Sequence, residues 1–306
     1  MTSPTLSAGT HVGGVTLQVS DLTRSIAFYR DLLGFVERSS TADTVELGAP
    51  GGTRAVVTLH ERRGAKPLPP HRRLGLFHFA ILLPSRGDLA GVLVHLHQHG
   101  VPMGMSDHLV SEALYLNDPD GLGIEIYSDR PRATWMKRGD ELAMATEPLD
   151  VEGLVSDPTA HPWTGMPAGT TIGHMHLHVG DLAGAERFYG ATLGLDVVVR
   201  SYPGALFLSA GGYHHHLGTN TWARGATPPA ADEAQLLGWD LVVEDAAEVQ
   251  AVRARVTGAG GATTSDAPNG FTTRDPFGTP VRRSEEHTSE LQSHLNLVCR
   301  LLLEKK

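Results

Sequence analysis

A chain of 306 residues with 41% hydrophobic and 19% charged side chains has material for two domains of ordinary size, each with its own core. A formal net charge of -9, with no clustered Lys and Arg, argues against a nucleic-acid binder and leaves a small organic substrate as the default. The single cysteine, Cys299, excludes a disulfide framework and a thiolate metal site, so any metal must be held by His, Asp or Glu, and there are 17 His to choose from.

In chain order, residues 1–10 read as a flexible N-terminus without the basic and apolar regions of a signal peptide. No apolar run approaches the roughly 20 residues needed to span a bilayer, and a cytoplasmic location is expected. "VGGVTLQVSDL" (12–22) reads as a strand entering a helix, and "DLTRSIAFYRDLLGF" (21–35) as that helix, capped by Asp21 and stopped by Gly34. "TVELGAP" and "AVVTLHE" follow as β-type segments. A second unit opens at "LFHFAILLPSRGDLAGVLVHLHQHG" (76–100) and closes with "ALYLND" and "GIEIYS". After a Pro- and Asp-rich linker, 131–170, the pattern returns: "IGHMHLHVGDL" (172–182), then "DLAGAERFYGATLGL" (181–195), which aligns without gaps on 21–35. "ALFLSAG" and "YHHHLGTN" close this third unit. "LGWDLVVEDAAEVQAVRARVTGAG" (237–260) opens a fourth, whose "DPFGTPVR" matches "DPDGLGIE" at 118–125.

From Arg283 onward "RSEEHTSELQSHLNLVCRLLLEKK" shares nothing with the Ala-, Gly- and Val-rich body. Leu291, Leu295, Val298 and Leu302 recur at helical spacing, the pattern of an amphipathic helix. "RSEEHTSELQSH", however, resembles a sequencing adapter translated in frame, so 283–306 is read as a non-native tail and the last strand as cut short near Arg282.

The tandem units carrying "VSDL", "FY", "LGF" and "DPDGLGIEIY" resemble the vicinal oxygen chelate superfamily, which includes glyoxalases, fosfomycin and bleomycin resistance proteins and extradiol dioxygenases. "GLFHFAILLPSR", "VSEALYLNDPDGLGIEIYSDRPR", "IGHMHLHVGDL" and "SAGGYHHHLGTNTW" resemble, more narrowly, a bacterial two-module family of catechol-2,3-dioxygenases, over about 11–282. The resemblance implies an α+β fold of four βαβββ units in two tandem vicinal-oxygen-chelate modules, 11–130 and 171–282.

Strand side chains alternate between faces. His174, His176 and His178 therefore share one face, and Met175, Leu177 and Val179 the other. The same sorting turns His78 and Ala80 inward with Phe77, Phe79 and Ile81 behind, and turns Gly123, Glu125 and Tyr127 inward. It pairs His214 with His216 and puts Tyr213, His215 and Leu217 opposite. Across units, Gly14, His78, His174 and Gly238 are equivalent, as are Glu125 and Arg282. Units two and three thus hold His78, Glu125 and His174, with His216 or His214 in reserve, while units one and four lack them.

Two neutral imidazoles and one carboxylate leave the open positions that a non-haem Fe(II) oxygenase uses for substrate and dioxygen. Mn, Ni or Zn would fit the same residues. A proton acceptor near neutrality suits histidine, with His214, His176 and His108 as candidates, and Tyr127 is placed to reach a substrate oxygen. The expectation is an extradiol dioxygenase acting on a small aromatic diol with dioxygen. A glyoxalase-like isomerase or lyase would want four protein ligands, and a binding or resistance protein would want none. Related folds form dimers and larger assemblies, so a homo-oligomer is compatible with the resemblance.

Overall fold

A computed structural model describes residues 5–267 and 270–285, the side chains of 265–267 excepted. The tail beyond Glu285, with Cys299 and the helical spacing read there, lies outside the described residues, as do residues 1–4. Unit one holds β1 (His11–Val19), β2 (Val36–Ser40), β3 (Thr44–Gly48) and β4 (Val57–Glu61); unit two holds β5 (Gly75–Leu82), β6 (Gly104–Asp107), β7 (Ser111–Asn117) and β8 (Gly123–Asp129). A short hairpin, β9 (Lys137–Arg138) and β10 (Glu141–Leu142), lies in the linker. Unit three holds β11 (Thr171–His178), β12 (Asp196–Val199), β13 (Ala205–Ser209) and β14 (Leu217–Asn220). Unit four holds β15 (Gln235–Val243), β16 (Thr264–Ala267), β17 (Gly270–Arg274) and β18 (Pro280–Glu285).

Each unit's first strand leads into a helix: α1 (Leu22–Ile26), α2 (Arg86–Gln98), α4 (Leu182–Ala185) and α5 (Ala246–Gly258), with α3 (Val151–Val155) in the linker. All four unit helices start the same way. Asp21, Ser85, Asp181 and Asp245 each accept a backbone N–H from three residues on, satisfying a donor that the helix leaves open. α1 and α4 continue as a wider turn in which Leu33 N–H reaches Phe28 O and Leu193 N–H reaches Phe188 O, and Gly34 and Gly194, at φ 86° and 97°, end them.

The strands form two eight-stranded mixed sheets, and each sheet draws one unit from each half of the chain. Units one and four make β16-β17-β18-β15-β1-β4-β3-β2, and units two and three make β12-β13-β14-β11-β5-β8-β7-β6. The antiparallel pair at each centre, β1 with β15 and β11 with β5, joins the units. Leu17, Leu59, Phe79, Ile126, Met175, Leu177 and Trp239 pack with helix residues in one core shared by both sheets. The apolar rows read from alternation are thus the rows that this core absorbs.

A second link runs within each half. Tyr29 of unit one donates its hydroxyl to Asp118 of unit two at 3.1 Å, and Tyr189 of unit three donates to Asp275 of unit four at 2.9 Å. Both tyrosines are fully buried, which explains the repeated "FY" and "DP" strings as partners. Tyr29→Phe is expected to lower stability by about 1–2 kcal/mol, the cost of a buried acceptor left without its donor. Urea denaturation reads this, and an unchanged midpoint would count against the clamp.

The last strand extends three residues past Arg282. β18 runs to Glu285 and pairs with β15 on one side and β17 on the other.

Candidate metal centre

Register brings the site together. His174 on β11 sits opposite Ala80 on β5, Ala80 opposite Glu125 on β8, and Glu125 opposite Tyr115 on β7, so these four form one row across the sheet. The methyl of Ala80 leaves the space above it open for the longer side chains on either side. His78, two residues before Ala80 on the same face, closes a triangle. His78 Nε2 and His174 Nε2 lie 2.9 and 3.1 Å from the same oxygen, Glu125 Oε2. One ligand atom from each residue falls within 4.8 Å of the others.

All three side chains are buried, at 5% exposure for His78, 1% for His174 and 2% for Glu125. Burial alone would raise the Glu125 carboxyl, but the attraction and hydrogen bond of His174, with His78 close beside it, hold it well below the usual carboxylate range. Burial pulls His174 down to about 4 despite that carboxylate. At neutral pH this is an ionised carboxylate facing a neutral imidazole at His174, the protonation that metal binding requires. His78 Nε2 approaches the carboxylate off hydrogen-bonding geometry and has no hydrogen-bond partner among the described residues. A buried nitrogen aimed at an oxygen without bonding to it fits a cation between them.

The triangle opens on a cavity of about 220 Å³. Its walls include His78 and Glu125 together with His176, His215 and His108. Burial holds the His176 and His215 imidazoles well below their usual range. His108 bonds the Tyr115 hydroxyl through Nε2 at 2.6 Å and meets Ala145 O through Nδ1 at 2.7 Å.

Several residues stand elsewhere than alternation places them. Residues 213–216 are irregular, and β14 begins only at Leu217, so strand parity does not apply to the histidine triplet. His216 lies outside the His78–Glu125–His174 group, and its Nδ1 accepts the Ala210 N–H at 3.2 Å. His214 does not line the cavity; its Nε2 meets Asp129 Oδ1 at 2.9 Å and its Nδ1 meets His215 Nδ1 at 2.7 Å. His215, sorted to the far face, is the member of the triplet that reaches the cavity, stacked on His174 with ring centroids 4.0 Å apart. Tyr127 packs its ring on His174, but its hydroxyl bonds Tyr213 at 2.7 Å instead of facing the cavity.

Phe77 is the other exception. His176 pairs with His78 while Leu177 pairs with Leu76, so Phe77 is an extra residue in β5. The bulge turns its ring to the cavity, away from the helices. Gly123 allows this, because a Cβ there would collide with the Phe77 carbonyl. His178 ends its row at the rim, bonded to Asn220 at 2.7 Å.

In the other sheet the same positions carry different chemistry. Thr16 faces Gly238 as His176 faces His78, and Asp240 faces Arg282 as Ala80 faces Glu125. Arg282 donates to Asp240 at 2.7 Å, so an ion pair occupies the equivalent of the metal triangle.

The family model described as Glyoxalase/Bleomycin resistance protein/Dioxygenase superfamily matches residues 11–126 and 171–282. A protein named Catechol-2,3-dioxygenase from Bacillus subtilis (strain 168) is 44% identical over 271 residues, covering 87% of this chain and 94% of its own. Among solved structures, one from Bacillus subtilis subsp. subtilis str. 168 described as a dioxygenase superposes with a TM-score of 0.62 at 14% identity, covering 93% of this chain and 86% of that one. Glyoxalase I from Zea mays superposes at 0.56 with 16% identity, covering 94% and 96%.

Proposed function

The chain belongs to the Glyoxalase/Bleomycin resistance protein/Dioxygenase superfamily, and we propose that it is an extradiol ring-cleaving dioxygenase for catechol-type substrates, with Fe(II) held by His78, Glu125 and His174. The observation that carries the reading is the convergence of two buried imidazole nitrogens on one carboxylate oxygen at the end of an aromatic-walled cavity. Two histidines and one carboxylate on one face are the donor set of non-haem Fe(II) oxygenases. When bound, iron supplies open positions for the two catechol oxygens and for dioxygen, together with the redox chemistry that dioxygen requires. The overall reaction adds both atoms of O2 to catechol and opens the ring beside the diol, giving an aldehyde acid.

The protein's own contribution is orientation and proton handling. A carboxylate oxygen accepts, so in its contact with Asp129 Oδ1 His214 Nε2 is the donor. His214 Nδ1 is then the acceptor in its contact with His215, and His215 Nδ1 the donor. That leaves the His215 Nε2 lone pair free to take the catechol proton and return it to the opening ring. Tyr115 and His108 form a second hydrogen-bonded pair along the wall, set beside Glu125 by the β7–β8 register. His176, neutral and packed edge-on against Phe77 at 5.1 Å, walls the site without adding charge.

His215→Gln is expected to keep its iron and lose about 10²–10³-fold in kcat, read by iron content beside single-turnover kinetics. Loss of iron in that variant would make His215 a support for His174 instead. The isomerase reading wants a fourth protein ligand, and His216, the sequence candidate, stands apart from the group.

The test of the reading is to load metal-free protein with Fe(II) under nitrogen, add catechol, admit air and follow the yellow ring-fission product, with His174→Ala alongside. Product from the wild type alone supports the reading. No product from an iron-loaded wild type overturns it. Loading with Mn, Ni or Zn in parallel identifies the active metal.

A further inference from the structure

We propose that the cavity selects uncharged catechols bearing a small apolar substituent, and that the linker between the two halves, through Met144, sets this preference. The inference rests on the ring-cleavage reading above. Its basis is the part of the cavity lining that lies outside His78 and Glu125.

A dry cavity of about 150 Å³ already accepts benzene. The 220 Å³ here holds a ring at the metal triangle and leaves space for a substituent. Beside the histidines and Glu125, the lining is mostly aromatic or aliphatic, with Phe77, Met144, Tyr202, Phe207 and Trp222, and its other polar groups are hydroxyls, those of Ser106, Ser111, Tyr115 and Thr146. None of the lining residues is Lys or Arg, and the one carboxylate, Glu125, belongs to the metal triangle. A substrate carboxylate would therefore be desolvated without a cation to meet it, in a site that already holds a negative charge. An alkyl group would replace water against apolar walls.

The linker supplies part of this wall and is stitched to both units. On the unit-two side, Glu147 and Asp107 exchange backbone hydrogen bonds at 2.9 Å in both directions, and Ala145 O meets His108. On the unit-three side, Thr146 Oγ1 and the Tyr202 hydroxyl are 2.6 Å apart, while Leu142 and Met144 pack against the cluster of Val199, Ala205 and Phe207. Met144 thus bridges the mouth between strands of different units. Being unbranched and pliable, it can fit more than one small substituent.

The experiment is calorimetric binding to iron-loaded full-length protein without oxygen, followed by turnover in air, with catechol, 4-methylcatechol and 3,4-dihydroxybenzoate. The methyl compound is expected to bind several-fold tighter than catechol. The acid is expected to bind at least about 30-fold weaker, the effect of an unpaired buried charge. Met144→Arg should narrow the gap between acid and catechol by about tenfold, and Met144→Ala should shift preference toward a bulkier group such as 4-tert-butylcatechol. Catechol and the acid binding and reacting equally well would overturn the inference and leave the ring-cleavage reading intact. So would Met144 variants that change every ligand by the same factor. If catechol itself neither binds nor reacts, the ring-cleavage reading fails and this inference fails with it.

Discussion

Glu125→Ala is expected to release the metal and reduce turnover by far more than the roughly 10–100-fold seen when a residue supporting a ligand is lost. Glu125 is the only carboxylate in the triangle, and His78 and His174 both address its Oε2. Two neutral imidazoles without that anion give the metal no charge compensation and one fewer ligand. Binding stabilises by mass action, about 2.7 kcal/mol when free metal is 100-fold above the dissociation constant. Wild-type protein should therefore melt higher with Fe(II) than without, and the variant should show no such difference. Iron analysis after gel filtration supplies the second readout. A variant that still carries one iron per chain would remove Glu125 from the ligand set.

Replacing Arg283 by Ile is expected to stabilise the protein by about 3 kcal/mol, the scale of an uncompensated buried charge. Arg283 is fully buried on β18, and none of its three guanidinium nitrogens has a hydrogen-bond partner among the described residues. Burial, opposed in part by Glu248 and reinforced by Arg255, lowers its affinity for its proton. The repeat shows what belongs there: Arg283 faces Leu241 as Ile126 faces Ile81, and Ile126 is core. At ~2 °C per kcal/mol for a chain of this size, melting should rise by roughly 6 °C. A lower melting temperature would mean that the buried guanidinium is compensated and would overturn this prediction.

Much of this was legible in the residues because it rests on two periodicities. The repeated Asp cap, "FY" and glycine stop located the units, and alternation along β5, β8 and β11 turned His78, Glu125 and His174 to one face. Comparing units also separated the pair that carries His78, Glu125 and His174 from the pair that carries Gly14, Gly238 and Arg282. Alternation failed where the backbone is not a regular strand. The triplet His214–His216 precedes β14, so the inward residue is His215, and the bulge at Phe77 moved an aromatic ring into the cavity. Met144 and Thr146 carried no local signal, since they meet the unit-three wall only when the linker crosses between units. Tyr115 could have been found, because it is the cross-strand neighbour of Glu125 in a hairpin closed by "DPDG".

One metal ion is proposed to join units two and three through His78, Glu125 and His174. Crystals of protein loaded with Fe(II) under nitrogen, measured on both sides of the iron absorption edge, test it most directly. One anomalous peak about 2 Å from His78 Nε2, His174 Nε2 and a Glu125 carboxylate oxygen is the expected result. Iron bound elsewhere, at His214 and His216 for example, or no peak from protein shown to contain iron, would contradict it.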